Sequence, residues 1–268
     1  MKYSNYLKNK NLSKNTIKIY LRQYEIWKKY LDEKNPNKTL FVKYIKNYSK
    51  KHQPNSVHLI YCSVLSIFKF EKRWKLINQC KDIKLPKIQQ SNKTIITLSE
   101  FNNVKNKILF KDWNSKRNWL IFCFLFLTGI RVSELLDFNK NKIYEKNKLK
   151  IKGKGDKVRV IFLTDYLIEL LNNWRANRIA ISKKNKLISI KQINQIIKQT
   201  SYFYFDKKIT PHGLRRSFAT NLLKNNANIE IVRKILGHTN INTTSRYLHF
   251  NEDDIVNEIN NVMNMKNN

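Results

Sequence analysis

The chain has 268 residues, 41% of them hydrophobic, and 53 Lys and Arg against 19 Asp and Glu give a formal charge of +34 at pH 7. That length suits one large domain or two ordinary ones with buried cores. That charge favours a polyanionic partner, whether DNA, RNA or an anionic membrane surface; the three cysteines lack metal-ligand spacing, and their odd number argues against a disulfide framework.

Biased codon usage is a rival source of the many lysines. It accounts less well for the eleven arginines, of which Arg215, Arg216, Arg233 and Arg246 lie in the last quarter of the chain. The amino-terminal stretch MKYSNYLKNKNLSKN lacks the apolar core of a signal peptide. The longest apolar run, WLIFCFLFLTGI, falls short of the roughly twenty residues that span a bilayer and reads as a buried helix. A reduced, cytoplasmic protein without membrane insertion is the expectation.

In chain order, Ile17, Tyr20, Leu21, Tyr24, Trp27 and Leu31 trace one helical face over residues 14 to 32, with Ser13 as N-cap. A second helix is expected around Phe41, Tyr44, Ile45 and Tyr48. A third starts at Pro54, a first-turn residue, and runs through Val57, Tyr61, Val64, Leu65 and Phe68. Residues 1–88 carry +16 of the net charge, so both halves of the chain are basic. The stretch from Leu85 to Thr94, LPKIQQSNKT, interrupts the pattern with a proline and uncharged polar residues and places a linker at residues 89–96. Thr97-Leu98-Ser99-Glu100 then forms a capping box that opens a helix. The long apolar helix ends near Thr128-Gly129. Residues 148–163 alternate on both sides of a Gly-rich turn, the pattern of a β-hairpin. Helices resume near Asp165, Ser189, Thr210, Ile229 and Glu252. The fold class expected is mainly α: a small helical amino-terminal domain and a larger, mostly helical domain with a short antiparallel sheet.

Four islands in the second domain concentrate unusual residue types. They are TGIRVSELL, with Arg131 and Glu134; KGKGDK, with Lys154 between glycines; TPHGLRRSFATNLL, with His212 and Arg215 spaced i, i+3 on one side of a helix; and ILGHTNINTTSRYLHF, with His238 nine residues before Tyr247. Singly, each has an ordinary explanation: a helix end, an exposed hairpin tip, a solvated helix face, a core tyrosine. Together they supply one reaction on a phosphodiester. Two guanidiniums can grip nonbridging oxygens, imidazoles can move protons, a lysine can protonate a leaving oxygen and a tyrosine can attack. KGKGDK lacks the spacing of a nucleotide-cradling loop. The acidic run Glu252-Asp253-Asp254 reads as the first turn of a final helix, favoured there by the helix dipole.

In this order, the four islands resemble the tyrosine site-specific recombinases, the phage integrase family, and especially its bacterial Xer branch. The resemblance covers the second domain from about Thr97 and extends more weakly to the helical amino terminus. It implies the DNA-breaking-rejoining fold, with a SAM-like core-site DNA-binding domain over residues 1–88, a linker at 89–96, and a catalytic domain over 97–268 that ends in an exchange helix. It implies that Tyr247 is the nucleophile, that Arg131, Arg215 and His238 stabilise the phosphorane, that Lys154 protonates the 5′ leaving oxygen and that His212 serves as general base or positions the nucleophile. Glu134 is the supporting residue, acting through His212 or backbone groups. No metal, ATP or other cofactor is implied. The partners implied are double-stranded DNA with a specific core site and a homotetramer, or a heterotetramer with a related recombinase. Arg216 stands where many relatives have a second histidine, and Gly213 where a bulkier residue is common; glycine there would loosen the His212 helix.

The biological role that the resemblance favours is Xer-type resolution of chromosome or plasmid dimers, with integration or inversion of a mobile or phase-variable element as the alternative. A type IB-like topoisomerase and a non-catalytic nucleic-acid-binding protein are the remaining readings. Their distinguishing features are monomeric relaxation of any duplex and indifference to Tyr247→Phe.

Overall fold

The computed structural model describes residues 2–88, 94–145, 147–152 and 158–237. The chain divides into two compact units, Met1–Ser91 and Asn92–Asn268.

The first unit is helical: α1 (Tyr3–Asn9), α2 (Lys14–Leu31), α3 (Lys38–Ser49), α4 (Pro54–Phe70) and α5 (Trp74–Cys80). Ser13 caps α2 by accepting the Thr16 amide at 3.1 Å, and Asn37 caps α3 through the Leu40 amide at 2.9 Å. Pro54 starts α4, where its missing N–H is of no consequence. The core gathers on Trp27 of α2, which Phe41, Tyr44 and Phe68 meet edge-on at centroid distances of 5.8, 5.0 and 5.9 Å. Lysines fill the outer faces.

The second unit is built around one helix. After α6 (Leu98–Lys105), whose Thr97–Glu100 capping box is formed in both directions, comes α7 (Trp113–Thr128). Its ten residues from Trp119 to Thr128 are all buried, so this helix has no solvent face there and is surrounded by protein. It is packed by α9 (Asp165–Asn172), α10 (Ile190–Phe205) and α11 (Pro211–Lys224). A short α8 (Val132–Leu136) follows α7, and α12 (Ile229–Leu236) packs on α11.

The sheet has three antiparallel strands in the order β1 (Ile143–Tyr144), β2 (Lys148–Lys152) and β3 (Val158–Phe162). In β2 the buried Leu149 and Ile151 alternate with lysines, as a half-buried strand requires. The register sets Leu149 opposite Ile161 and Ile151 opposite Arg159, which puts Arg159 on the core face of β3. The turn that joins β2 to β3, residues 153–157, lies outside the described residues, as does the final helix expected from Glu252.

The segment that enters the second unit is held by side chains of α11 and the loop before it. Arg216 donates to the Thr94 carbonyl at 3.1 Å, Ser217 Oγ accepts the Ile96 amide at 3.0 Å and Asn221 donates to the Ile96 carbonyl at 2.9 Å. Lys207 donates to the Ile95 carbonyl at 2.9 Å and pairs with Glu100. The backbone of Thr94, Ile95 and Ile96 is thus pinned to the helix that carries His212 and Arg215.

No helix among the described residues is long and apolar enough to cross a membrane.

Candidate active site

The candidate site forms where α7, α8, β3, α11 and α12 converge. Helix α7 stops because Gly129 takes a left-handed conformation, φ +62°, that other residues adopt only at a cost. A Cβ at Gly129 would fall 2.4 Å from Phe218 Cδ1, so glycine is required by both backbone and packing. Two residues on, Arg131 acts as the N-cap of α8, and Glu134 accepts its amide at 2.7 Å.

Glu134 is buried, its side chain 5% exposed, against 43% for Arg131 and 10% for Arg159. Its carboxylate receives four hydrogen bonds: from the Arg131 amide, from Arg131 Nη1 at 3.1 Å, and from Arg159 Nη1 and Nη2 at 2.9 and 2.7 Å. Burial alone would raise its pKa. The Arg159 fork, the Arg131 amide and the two positive charges outweigh that and hold it below its ordinary value. The glutamate therefore stays ionised and reaches the site through Arg131 and Arg159.

Arg215 is buried on α11, which Thr210 caps and Pro211 begins. It donates from Nη1 to the Gly129 carbonyl at 2.6 Å and from Nη2 to the Leu236 carbonyl. Burial, reinforced by the like charges of Arg131 and Arg159 and opposed by Glu134, lowers its pKa to about 10. It remains a cation at neutral pH. His212, at the exposed second position of the same helix, lies one turn before Arg215. A Cβ at Gly213 would stand 2.7 Å from Ile209 Cγ2, so its absence lets the turn close on the preceding loop.

The carboxyl end of α12 draws these cations together. Arg159 Nε donates to the Ile235 carbonyl at 2.8 Å, Arg215 to that of Leu236, and Arg131 Nη2 to that of Gly237 at 3.4 Å. The last carbonyls of a helix have no partner within it, and here three guanidiniums from separate elements serve them. Gly237, φ +62°, ends the helix with Arg159 packed beside it.

The structure thus brings Arg131, Glu134 and Arg215 together, with His212 on the same helix as Arg215. Lys154, His238 and Tyr247 lie outside the described residues. Arg159 escapes the sequence reading, although one signal was there: the hairpin alternation sets it in phase with buried Ile161, and a charge on the core face of a strand calls for a partner. Among the described residues no three His, Cys, Asp or Glu side chains gather in a group able to hold a metal ion.

Comparison with known proteins shows the family to which the chain belongs. Residues 97–254 match the Phage integrase family. The chain is 31% identical to the tyrosine recombinase XerA of Pyrococcus furiosus over 91% of its own length and 87% of that protein. It is 32% identical to the tyrosine recombinase XerH of Campylobacter jejuni over 69% of its own length, a match that spans only 54% of that relative. The crystal structure of a XerH site-specific recombinase bound to its difH substrate in a pre-cleavage complex shares the fold, with TM-score 0.62 and 22% identity over 88% of this chain and 72% of that one. The chain belongs to the phage integrase family and is a tyrosine recombinase of the Xer kind.

Proposed function

We propose that the protein cuts and rejoins double-stranded DNA at a specific core site through a 3′-phosphotyrosyl intermediate on Tyr247. The observation that carries this reading is the convergence of Arg131 and Arg215 on the backbone of Leu236 and Gly237, directly ahead of His238. Each guanidinium has five N–H groups, and among the described residues each commits one Nη1 and one Nη2 donor to the protein. Donors remain for the nonbridging oxygens of a phosphate, and the half-exposed Arg131 can meet it from solvent.

In the proposed reaction the Tyr247 oxygen attacks the scissile phosphorus while the bond to the 5′ oxygen breaks. A free phenol is only about 0.1% ionised at pH 7, so His212 takes its proton as attack proceeds. Lys154 gives a proton to the departing 5′ oxygen. Arg131, Arg215 and His238 stabilise the charge on the phosphorane as preorganised donors. Rejoining runs in reverse: a 5′-hydroxyl attacks and the tyrosine leaves. The phosphotyrosyl bond keeps the energy of the broken phosphodiester, so the chemistry calls for neither ATP nor a metal.

The helical unit before the linker, residues 1–88, is the module proposed to grip the core site, and residues 97–268 the module that cuts. Four protomers would exchange strands pairwise, with a carboxy-terminal exchange helix from Glu252 docking on a neighbour. The role taken here is resolution of chromosome or plasmid dimers in the cytoplasm, which the resemblance of the four sequence islands to the Xer branch implies. On a nicked suicide substrate the wild type should accumulate a covalent protein–DNA adduct. Tyr247→Phe should bind the duplex as well and form none; adducts that persist in that variant would refute the assignment.

A further inference from the structure

Arg159, its side chain 10% exposed, is a cation at the site to which the reaction above gives no role. Its fork fills one side of the Glu134 carboxylate at 2.7 and 2.9 Å, and its Nε holds the Ile235 carbonyl at 2.8 Å. It therefore links three parts of the site: β3, which follows Lys154 in the chain; α8, whose N-cap is Arg131; and the end of α12, which precedes His238.

The charges show what the link does. Glu134 has two cationic partners, and one of them, Arg131, is also the guanidinium offered to DNA. If Glu134 had Arg131 alone, a buried carboxylate would hold that guanidinium inward and cancel its charge at the phosphate. Arg159 supplies the balancing charge from the protein side, where its own side chain is only 10% exposed. The bidentate geometry matters as well. A lysine could supply the charge, but not the fork and the Ile235 bond together.

We propose that Arg159 is a positioning residue for DNA cleavage: by neutralising Glu134 and tethering Ile235, it leaves the Arg131 guanidinium oriented toward the scissile phosphate and fixes the start of the segment that carries His238. This rests on the reading of the site given above.

The test is single-turnover cleavage of a suicide substrate at saturating protein, with duplex Kd measured alongside. Arg159→Met should keep the wild-type Kd and cleave about 10²-fold more slowly, the loss expected when a reacting group is displaced by about 1 Å. The double variant Glu134→Gln/Arg159→Met removes the unbalanced carboxylate too, and should cleave faster than Arg159→Met, by about tenfold if half of that loss in free energy is electrostatic. A purely structural role would not give that recovery. Wild-type cleavage by Arg159→Met, equal losses in binding and cleavage, or a double variant no faster than the single would each overturn the proposal. If Arg159→Met does not fold, Arg159→Lys decides: slower cleavage at unchanged Kd supports the proposal, and wild-type cleavage overturns it. Tyr247→Phe, run in parallel, separates the two readings. Adducts in that variant would mean that the nucleophile is misassigned, whatever Arg159 does.

Discussion

Replacing Gly129 by alanine tests the joint between α7 and the arginine cluster. The left-handed backbone at φ +62° costs a non-glycine residue about 1–2 kcal/mol. The new methyl group would also lie 2.4 and 2.9 Å from Phe218 Cδ1 and Cγ and 3.1 Å from Leu236 Cδ2. Phe218 is 1% exposed and cannot swing into solvent, so overpacking adds about 1–3 kcal/mol. The sum, roughly 3 kcal/mol, should lower the melting temperature of the second unit by about 10 °C, at the 2–4 °C per kcal/mol usual for a domain of this size. The damage should reach the chemistry as well, because the Gly129 carbonyl is one anchor of Arg215 and the carbonyl of the crowded Leu236 is the other. Calorimetry gives the melting temperature and single-turnover cleavage the rate. A variant that melts and cuts like the wild type would refute the reasoning on both counts.

Other expectations follow from single contacts. Ser217→Ala leaves the buried Ile96 amide without its acceptor and should cost about 1–3 kcal/mol in unfolding experiments. Glu134 has a folded-state pKa below its ordinary 4.5, so the stability it contributes is present above about pH 4.5 and is lost as pH falls through the lower folded value. Thermal melts of Glu134→Gln should therefore show a shallower decline on acidification than those of the wild type. Removing residues 252–268 should impair synapsis of two core sites while leaving single-site binding unchanged, measured by gel shift and recombination assays; an unchanged recombination rate would dismiss the exchange helix.

Much of the helical fold could be read from the sequence because its long helices bear clear periodicity and caps. The face led by Trp27, the Thr97–Glu100 box and the buried run of α7 are local signals, decided within a few turns. The helices α1, α5 and α8 escaped because seven or five residues are too few to show a period. At the site, residue types in order singled out Arg131, Glu134 and Arg215 as candidates, but did not say what Glu134 holds. Its partner Arg159 is 25 residues away in β3, and only the strand register turns that side chain inward. The roles of Ser217 and Asn221 were hidden for the same reason. Each looks like an ordinary polar helix residue, because the partner it bonds, Ile96, lies more than a hundred residues earlier in the chain.

The most direct measurement is peptide mapping by mass spectrometry of the covalent complex trapped on a nicked suicide substrate. The account predicts a single DNA-modified peptide, bearing a 3′-phosphate ester on Tyr247. A modified peptide at any other tyrosine, or no covalent complex from a folded, DNA-binding protein, would contradict it.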